Sequence, residues 1–299
     1  MEQIIHIPVL QKEVIQYLNP KPNENFIDCT LGQGGHALAI MEKTGPGGKL
    51  LGIDFDDNSI KDFETIIKNN GLEKRINIIC DNFANLKKIV ENNKFGPIHG
   101  ILFDLGMSSW QLERGGRGFT FQKNEPLDMR YNPKTVLTAR EIINQWPKRE
   151  IEKILEEYGE EKFSRKIAEE IVREREVAPI NTTFRLICIL KEVLQARYRQ
   201  EKIHFATRTF QALRIAVNCE LDNLGEGLNA AMEVSPPGAV IAVISFHSLE
   251  DRIIKEFFRA NEKTGKINII TEKPIQASED EVKHNPRSRS AKLRAGKKI

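Results

Sequence analysis

Three apolar runs in the first third of the chain end in an acid: Asn25-Phe26-Ile27-Asp28, Lys49-Leu50-Leu51-Gly52-Ile53-Asp54 and Ile101-Leu102-Phe103-Asp104. Each is too short for a stable helix and apolar on both faces, which reads as a strand buried on both sides. Helical spacing fills the gaps. Ile60, Phe63 and Ile67 mark a helix ahead of a further strand at Ile76–Cys80, and 86–91 reads as a short helix before the strand at 99–105. Strands alternating with helices predict a parallel sheet covered on both faces. Its strands all point one way, so acids at their ends meet along one edge, where open α/β sheets bind ligands.

The rest of the chain divides in two. Leu10, Val14 and Leu18 mark a helix ended by Pro20-Lys21-Pro22, and 37–41 reads as a helix followed by the breaker Gly45-Pro46-Gly47-Gly48. Asp57 or Asn58 is expected to cap the Ile60 helix, with Gly71 past its end. From 111 to 205 there is no strand pattern. Arg114-Gly115-Gly116-Arg117-Gly118 reads as a loop. Helices are expected over 148–158, around Phe163, Ile167 and Ile171, and after Thr182 with Leu186, Leu190 and Leu194. A stretch this long is a helical insertion and not a loop. Beyond it, 207–234 reads as one long helix, 239–246 as a strongly apolar strand, 249–259 as a helix, 266–271 as a strand and 290–293 as a last edge strand. The expected organisation is a discontinuous sheet domain, 1–110 and 206–299, around a helical insertion at 111–205.

Composition bounds the class. With 299 residues, 40% hydrophobic and 29% charged, the chain is a soluble globular protein large enough for an inserted domain. No apolar run approaches the roughly 20 residues that span a bilayer. Residues 1–6 lack a basic stretch leading into an apolar one, so no signal peptide is expected. Cys29, Cys80, Cys188 and Cys219 are scattered with no CxxC pair, which disfavours a zinc site or disulfide framework and fits a reducing cytoplasm. The net charge of +3 is unevenly spread. Residues 282–299 carry Lys283, Arg287, Arg289, Lys292, Arg294, Lys297 and Lys298 with no acid. That end reads either as a solvated tail or as a strip that contacts phosphate.

The turn after the first acid, Gly32-Gln33-Gly34-Gly35-His36, leads from strand into helix. Glycines allow positive φ and close approach of a ligand, and a helix start offers free N–H groups. Asp54, twenty residues after Gly34, can accept hydrogen bonds from ribose hydroxyls. These features suit S-adenosylmethionine, NAD or a bare strand–helix turn, since Gly32-x-Gly34-x-x-Ala37 also satisfies the dinucleotide fingerprint. Gly34-Gly35-His36 leans toward the methyl donor, with His36 placed to hydrogen-bond its amino-acid end. Asp28, Asp54 and Asp104 converging on one edge favour a ligand site of some kind. The strand before Ser245-Phe246-His247-Ser248 reaches the same edge. Ser248 with Asp251 reads as a helix cap, while Phe246 and His247 suit stacking on a flipped base.

The chain resembles the MraW (RsmH) family of bacterial methyltransferases of small-subunit ribosomal RNA. The likeness runs end to end through His6-x-Pro8-Val9-Leu10, Gly32-x-Gly34-Gly35-His36, Asp104-Leu105-Gly106-x-Ser108-Ser109-x-Gln111-Leu112 and Arg117-Gly118-Phe119. It continues through Pro126-Leu127-Asp128-Met129-Arg130, Tyr158-Gly159-Glu160-Glu161, Ala206-Thr207-Arg208-Thr209-Phe210-Gln211, the segment from Ile244 to Arg252 and Asn285-Pro286-Arg287. Trp110 stands where the family often has proline. The resemblance implies a class I S-adenosylmethionine-dependent methyltransferase fold, a Rossmann-like α/β sheet with an inserted all-helical domain. It implies methylation of the exocyclic amino nitrogen of one cytosine in 16S ribosomal RNA near the decoding centre, within the small subunit or a precursor. The cofactor contacts it implies are Gly34, Gly35, His36, Asp54, Phe83, Asp104 and Gln111, with Phe83 flanking the adenine, and no metal. Asp104 is expected closest to the catalytic role, with Ser245 and His247 behind it. Arg114, Arg117 and Arg130 would grip phosphate. An NAD-dependent oxidoreductase and a non-catalytic RNA-binding protein with a degenerate nucleotide fold are the alternatives, and the oligomeric state is left as monomer or homodimer.

Overall fold

The expected strands form one sheet. In the computed structural model, which describes residues 8–107, 116–194 and 203–299, they are β1 (Phe26–Asp28), β2 (Leu50–Asp54), β3 (Ile76–Cys80), β4 (Gly100–Asp104), β5 (Val240–Ser245), β6 (Ile267–Ile269), β7 (Ile275–Gln276) and β8 (Lys292–Lys298). The order is β3-β2-β1-β4-β5-β8-β6, with β7 on β8. The first five strands in that order are parallel, and β8 runs antiparallel to β5, β6 and β7.

Pleating sorts the side chains onto two faces. Leu50, Leu102, Ala242, Ile244 and Leu293 lie on one face under α1 (Gln11–Leu18), α2 (Gly35–Lys43) and α3 (Asp57–Asn69). Ile27, Leu51, Ile53, Ile101, Phe103, Ile241 and Val243 lie on the other, under α4 (Leu86–Asn93) and later helices. Both faces are therefore dry, as the continuous apolar runs demand. Asp56, rather than Asp57 or Asn58, caps α3: its side chain accepts from Asn58 N at 3.1 Å.

The chain divides by contacts into two units, Met1–Gly106 with Leu221–Ile299, and Met107–Glu220. Within the second lie α5 (Ala139–Gln145), α6 (Lys148–Glu157), α7 (Ser164–Val177), α8 (Thr183–Leu194) and α9 (Thr207–Asn218). Its own core gathers Leu127, Ile142, Leu155, Ile171, Leu190 and Leu213, all fully buried. Helix α5 has no counterpart among the expected elements, although Thr138 and Glu141 close a reciprocal capping box at its start.

Two expectations change. The helix read over 207–234 is two helices, α9 and α10 (Glu220–Val234), because Cys219 takes φ 49° and breaks the run. α9 stays with the helical unit through Phe210, Leu213 and Val217, so the division falls at 220/221 and 106/107 rather than at 205/206 and 110/111. The second change is at 290–293. The strand there runs on to Lys298 and lies inside the sheet between β5 and β6, not at an edge. Leu293 and Ala295 are fully buried, which is why the strand is drawn in. Helices α11 (Ser248–Lys263) and α12 (Glu279–His284) complete the sheet unit. Among the described residues no helix is long and apolar enough to cross a membrane.

Candidate active site at the carboxyl edge of the sheet

β1, β2 and β4 are neighbours and parallel, so Asp28, Asp54 and Asp104 come out together. The loop after β1 ties them. Thr30 N donates to Asp28 Oδ1 at 3.1 Å, and Asp104 N donates to Thr30 Oγ at 2.6 Å. Asp54 Oδ2 accepts from Gly32 N at 2.7 Å, and its Oδ1 accepts from Asp56 N at 2.8 Å. His36, in the first turn of α2, is buried with its Nε2 3.5 Å from Asp104 Oδ2. Neither ring nitrogen of His36 nor Asp104 Oδ1 has a hydrogen-bond partner, although all three atoms are buried. Buried polar atoms without partners are rare, and here they gather at one place.

The charge balance is strained. Burial, helped by Asp104 and Asp54, pushes the Asp28 carboxyl up to about 7 against the pull of His36. Burial also lifts Asp54 to about 6, against hydrogen bonds from Asp56 and Gly32. For His36 burial acts downward, yet Asp104 and Asp28 outweigh it and hold its pKa above the ordinary value. Glu281 of α12 adds to that effect and accepts from Leu10 N at 2.8 Å. Sequence reading missed Thr30 and Glu281. Thr30 looks like any loop threonine, and Glu281 is more than 240 residues from His36 with no local signal.

The positive φ expected of the loop glycines is present at Gly32 and Gly34, and the space beside two of the glycines is filled by neighbouring side chains. Gly34 has φ 76°, and a Cβ on it would fall 1.8 Å from Phe63 of α3. A Cβ on Gly35 would fall 2.3 Å from Pro8. Both are therefore required for packing of the loop, whatever binds beside it. Two of the loop amides are also engaged: Gly32 N serves Asp54, and Gly34 N donates to Leu31 O at 2.7 Å.

Phe83 follows β3 on a short 3-10 turn, half-buried and edge-on to Phe103 at 5.5 Å. Gly227 of α10 gives it room, since a Cβ there would lie 2.7 Å from its ring. Beyond β5, Phe246 lies over the α-carbon of Gly106, and Ser245 is buried with Oγ 3.4 Å from Lys292 O. His247 is itself the cap of α11, in a reciprocal box with Glu250, and its Nε2 lies 3.1 Å from Glu250 Oε1. Capping thus falls to His247 and Glu250, not to Ser248 and Asp251, and His247 leaves the list of base-stacking groups. Gln111 and Arg114 lie outside the described residues.

A profile of the MraW methylase family matches residues 3–299. The chain belongs to the MraW methylase family. Its relatives include the ribosomal RNA small subunit methyltransferase H of Heliobacterium mobile, 45% identical over 98% of this chain and 99% of the relative. The protein of the same name from Thermotoga neapolitana is 46% identical over 98% and 96%. In fold the chain is similar to the crystal structure of a candidate rRNA methylase from Clostridium thermocellum, with TM-score 0.50 and 14% identity over 99% of this chain and all of the other.

MraW methylases use S-adenosylmethionine, and the edge fits it. The donor is cationic at sulfonium and amino groups, which suits three converging carboxylates, two of which, Asp104 and Asp54, help raise the pKa of Asp28. An NAD pyrophosphate would meet the same carboxylates with like charge, and Asp54 already holds the Gly32 amide that a pyrophosphate would take. Several cations expected to meet phosphate are engaged within the fold of this methylase. Arg117 Nη1 donates to Arg130 O and Tyr131 O, and Arg130 pairs with both oxygens of Asp128 while donating to Pro133 O and Thr135 O. They brace the segment around Met129, a buried residue at φ 60°, and are not spare cations for phosphate. The basic carboxyl end is likewise committed in part: Arg294 and Lys292 reach Asp251 at 2.7 and 3.3 Å, and Lys298 donates to Met232 O.

Proposed function

We propose that this enzyme transfers the methyl group of S-adenosylmethionine to the exocyclic amino nitrogen of a cytosine in 16S ribosomal RNA, near the decoding centre, in the cytoplasm. The observation that carries the chemistry is Asp104: Oδ2 faces His36, while Oδ1 is buried with no partner. The names of full-length relatives at 45–46% identity support the RNA target.

Cytosine's amino nitrogen is a weak nucleophile because its lone pair is spread into the ring. Bound S-adenosylmethionine supplies an electrophilic methyl on a good leaving group. Asp104 Oδ1 accepts one N–H of the amino group, turns the lone pair out of the ring plane and takes up the proton that the nitrogen releases. His36 lies against the other carboxylate oxygen, Oδ2, at 3.5 Å and fixes the side chain's orientation. Asp54, Gly34, Gly35, Phe83 and Gln111 are the groups we assign to holding the nucleoside and amino-acid ends, with Phe83 beside the adenine. Holding the nitrogen in line with the methyl is the larger part of the task. The substrate we favour is the small subunit or its precursor.

The test uses small ribosomal subunits lacking the modification and S-adenosylmethionine labelled in the methyl group. Label is expected in N4-methylated cytidine. Asp104→Asn should lower turnover by roughly 10²- to 10⁴-fold while the cofactor still binds. Near-normal turnover in that variant removes the role given to Asp104. Label in another base overturns the substrate, and thermal stabilisation by NAD alone overturns the cofactor.

A further inference from the structure

The helical unit carries an aromatic stack that runs from its core to its surface. Phe210 in the first turn of α9 is buried, and Phe121 meets it edge-on, centroids 5.6 Å apart at 84°. His204 lies flat on Phe121, 4.5 Å away at 10°, and Phe205 adjoins His204 at 4.2 Å and 31°. Phe121 and Phe205 are half-buried, whereas His204 is exposed. Burial lowers the His204 pKa, so the ring is neutral near pH 7. Its Nδ1 accepts from Ala206 N at 3.3 Å, which leaves the proton on Nε2. A flat, neutral ring with a spare N–H is thus held rigid at the surface by aromatic neighbours.

Cationic side chains and a helix start lie beside these rings in sequence. Lys123 is exposed two residues beyond Phe121. α9, twelve residues long, begins directly after His204 and Phe205, and Ala206 gives it no side-chain cap. A helix start favours anionic groups, and Arg208 sits in the same turn while donating to Glu160 O. Aromatic faces beside positive charge are the combination that holds single-stranded nucleic acid: the base stacks and the phosphate meets the charge.

We propose that the Phe121–His204–Phe205 stack receives an unpaired nucleotide of the RNA substrate, its base against the exposed His204 and its phosphate toward the start of α9 and Lys123. This rests on the RNA substrate assigned above.

The experiment measures binding of a short, unstructured, dye-labelled single-stranded RNA by anisotropy, alongside methyl transfer to small ribosomal subunits. The proteins are wild type, His204→Ala, His204→Leu, His204→Trp and Phe205→Ala, each full-length and checked by thermal melting. The Ala and Leu variants should bind RNA on the order of 5- to 100-fold more weakly, and His204→Trp should restore binding. The KM for subunits should rise by the same factor, with kcat and cofactor affinity unchanged. Leu rescuing as well as Trp, or all variants binding like wild type, overturns the proposal. So does a loss seen with subunits but not with RNA, which would assign the stack to a ribosomal protein. If wild type transfers no label, the substrate assignment falls, while anisotropy still decides whether the stack holds RNA.

Discussion

Asp28 is 2% exposed and shares its surroundings with two more carboxylates, so its ionisation opposes folding. Its pKa is about 7 in the folded protein against an ordinary 3.8. A raised carboxylate gives stability below its ordinary pKa, and that contribution is lost as pH climbs toward the folded value. Asp54, at about 6, acts in the same direction. Asp28→Asn keeps an oxygen for Thr30 N and removes the charge. Without cofactor, this variant should be more stable than wild type at pH 8, by about 1–3 kcal/mol, and the gap should close near pH 4. Urea titrations at both pH values decide it; equal stability at pH 8 would mean that the edge solvates its charge. At this scale Asp54 and Asp104 were legible because acids closing apolar runs are conspicuous. The reason for Gly34 was not, because the Phe63 ring that fills its Cβ position comes from another helix.

Strand β8 shows what an element can conceal. Lys292-Leu293-Arg294-Ala295-Gly296-Lys297-Lys298 reads as a basic tail, yet four of its middle residues are buried and Arg294 is 8% exposed. The pairing that permits this is with Asp251 on α11, where Arg294 and Lys292 hold the carboxyl below its usual range despite partial burial. Arg294→Ala should cost about 2 kcal/mol, the range for a hydrogen bond to a charged group left unpaired. The cost should largely persist in high salt, because a buried pair is poorly screened. A loss that vanishes in salt would mark the pair as a surface contact. Local pattern shows only the start of this strand, at 290–293, because Lys292 and Arg294 are satisfied by Asp251, about forty positions away. α5 was legible in principle, through Thr138 and Glu141, while the break at Cys219 has neither glycine nor proline to mark it.

For the whole molecule, each unit owns its core: among the described residues, the buried cluster around Leu155, Ile171 and Leu213 draws only on the helical unit. Residues 107–220 expressed alone should therefore fold, with a helical circular dichroism spectrum and a cooperative melt. A spectrum without a cooperative transition would show that the unit needs the sheet. The insertion itself was legible, since a hundred residues without a strand pattern cannot be a loop. Its far boundary was not, because α9 and α10 carry apolar residues at one spacing and only the backbone turn at Cys219 separates them.

The parallel pairing of β4 with β5 joins Gly100 to Val240, about 140 residues further along. Bringing those ends together from an unfolded chain has an entropic cost that grows with the logarithm of the loop. If the intervening helices condense first from their local contacts, the span to be closed shrinks to the short segments on either side of a folded body. On that order of events, the inserted unit's early collapse would make the central strand pair kinetically accessible.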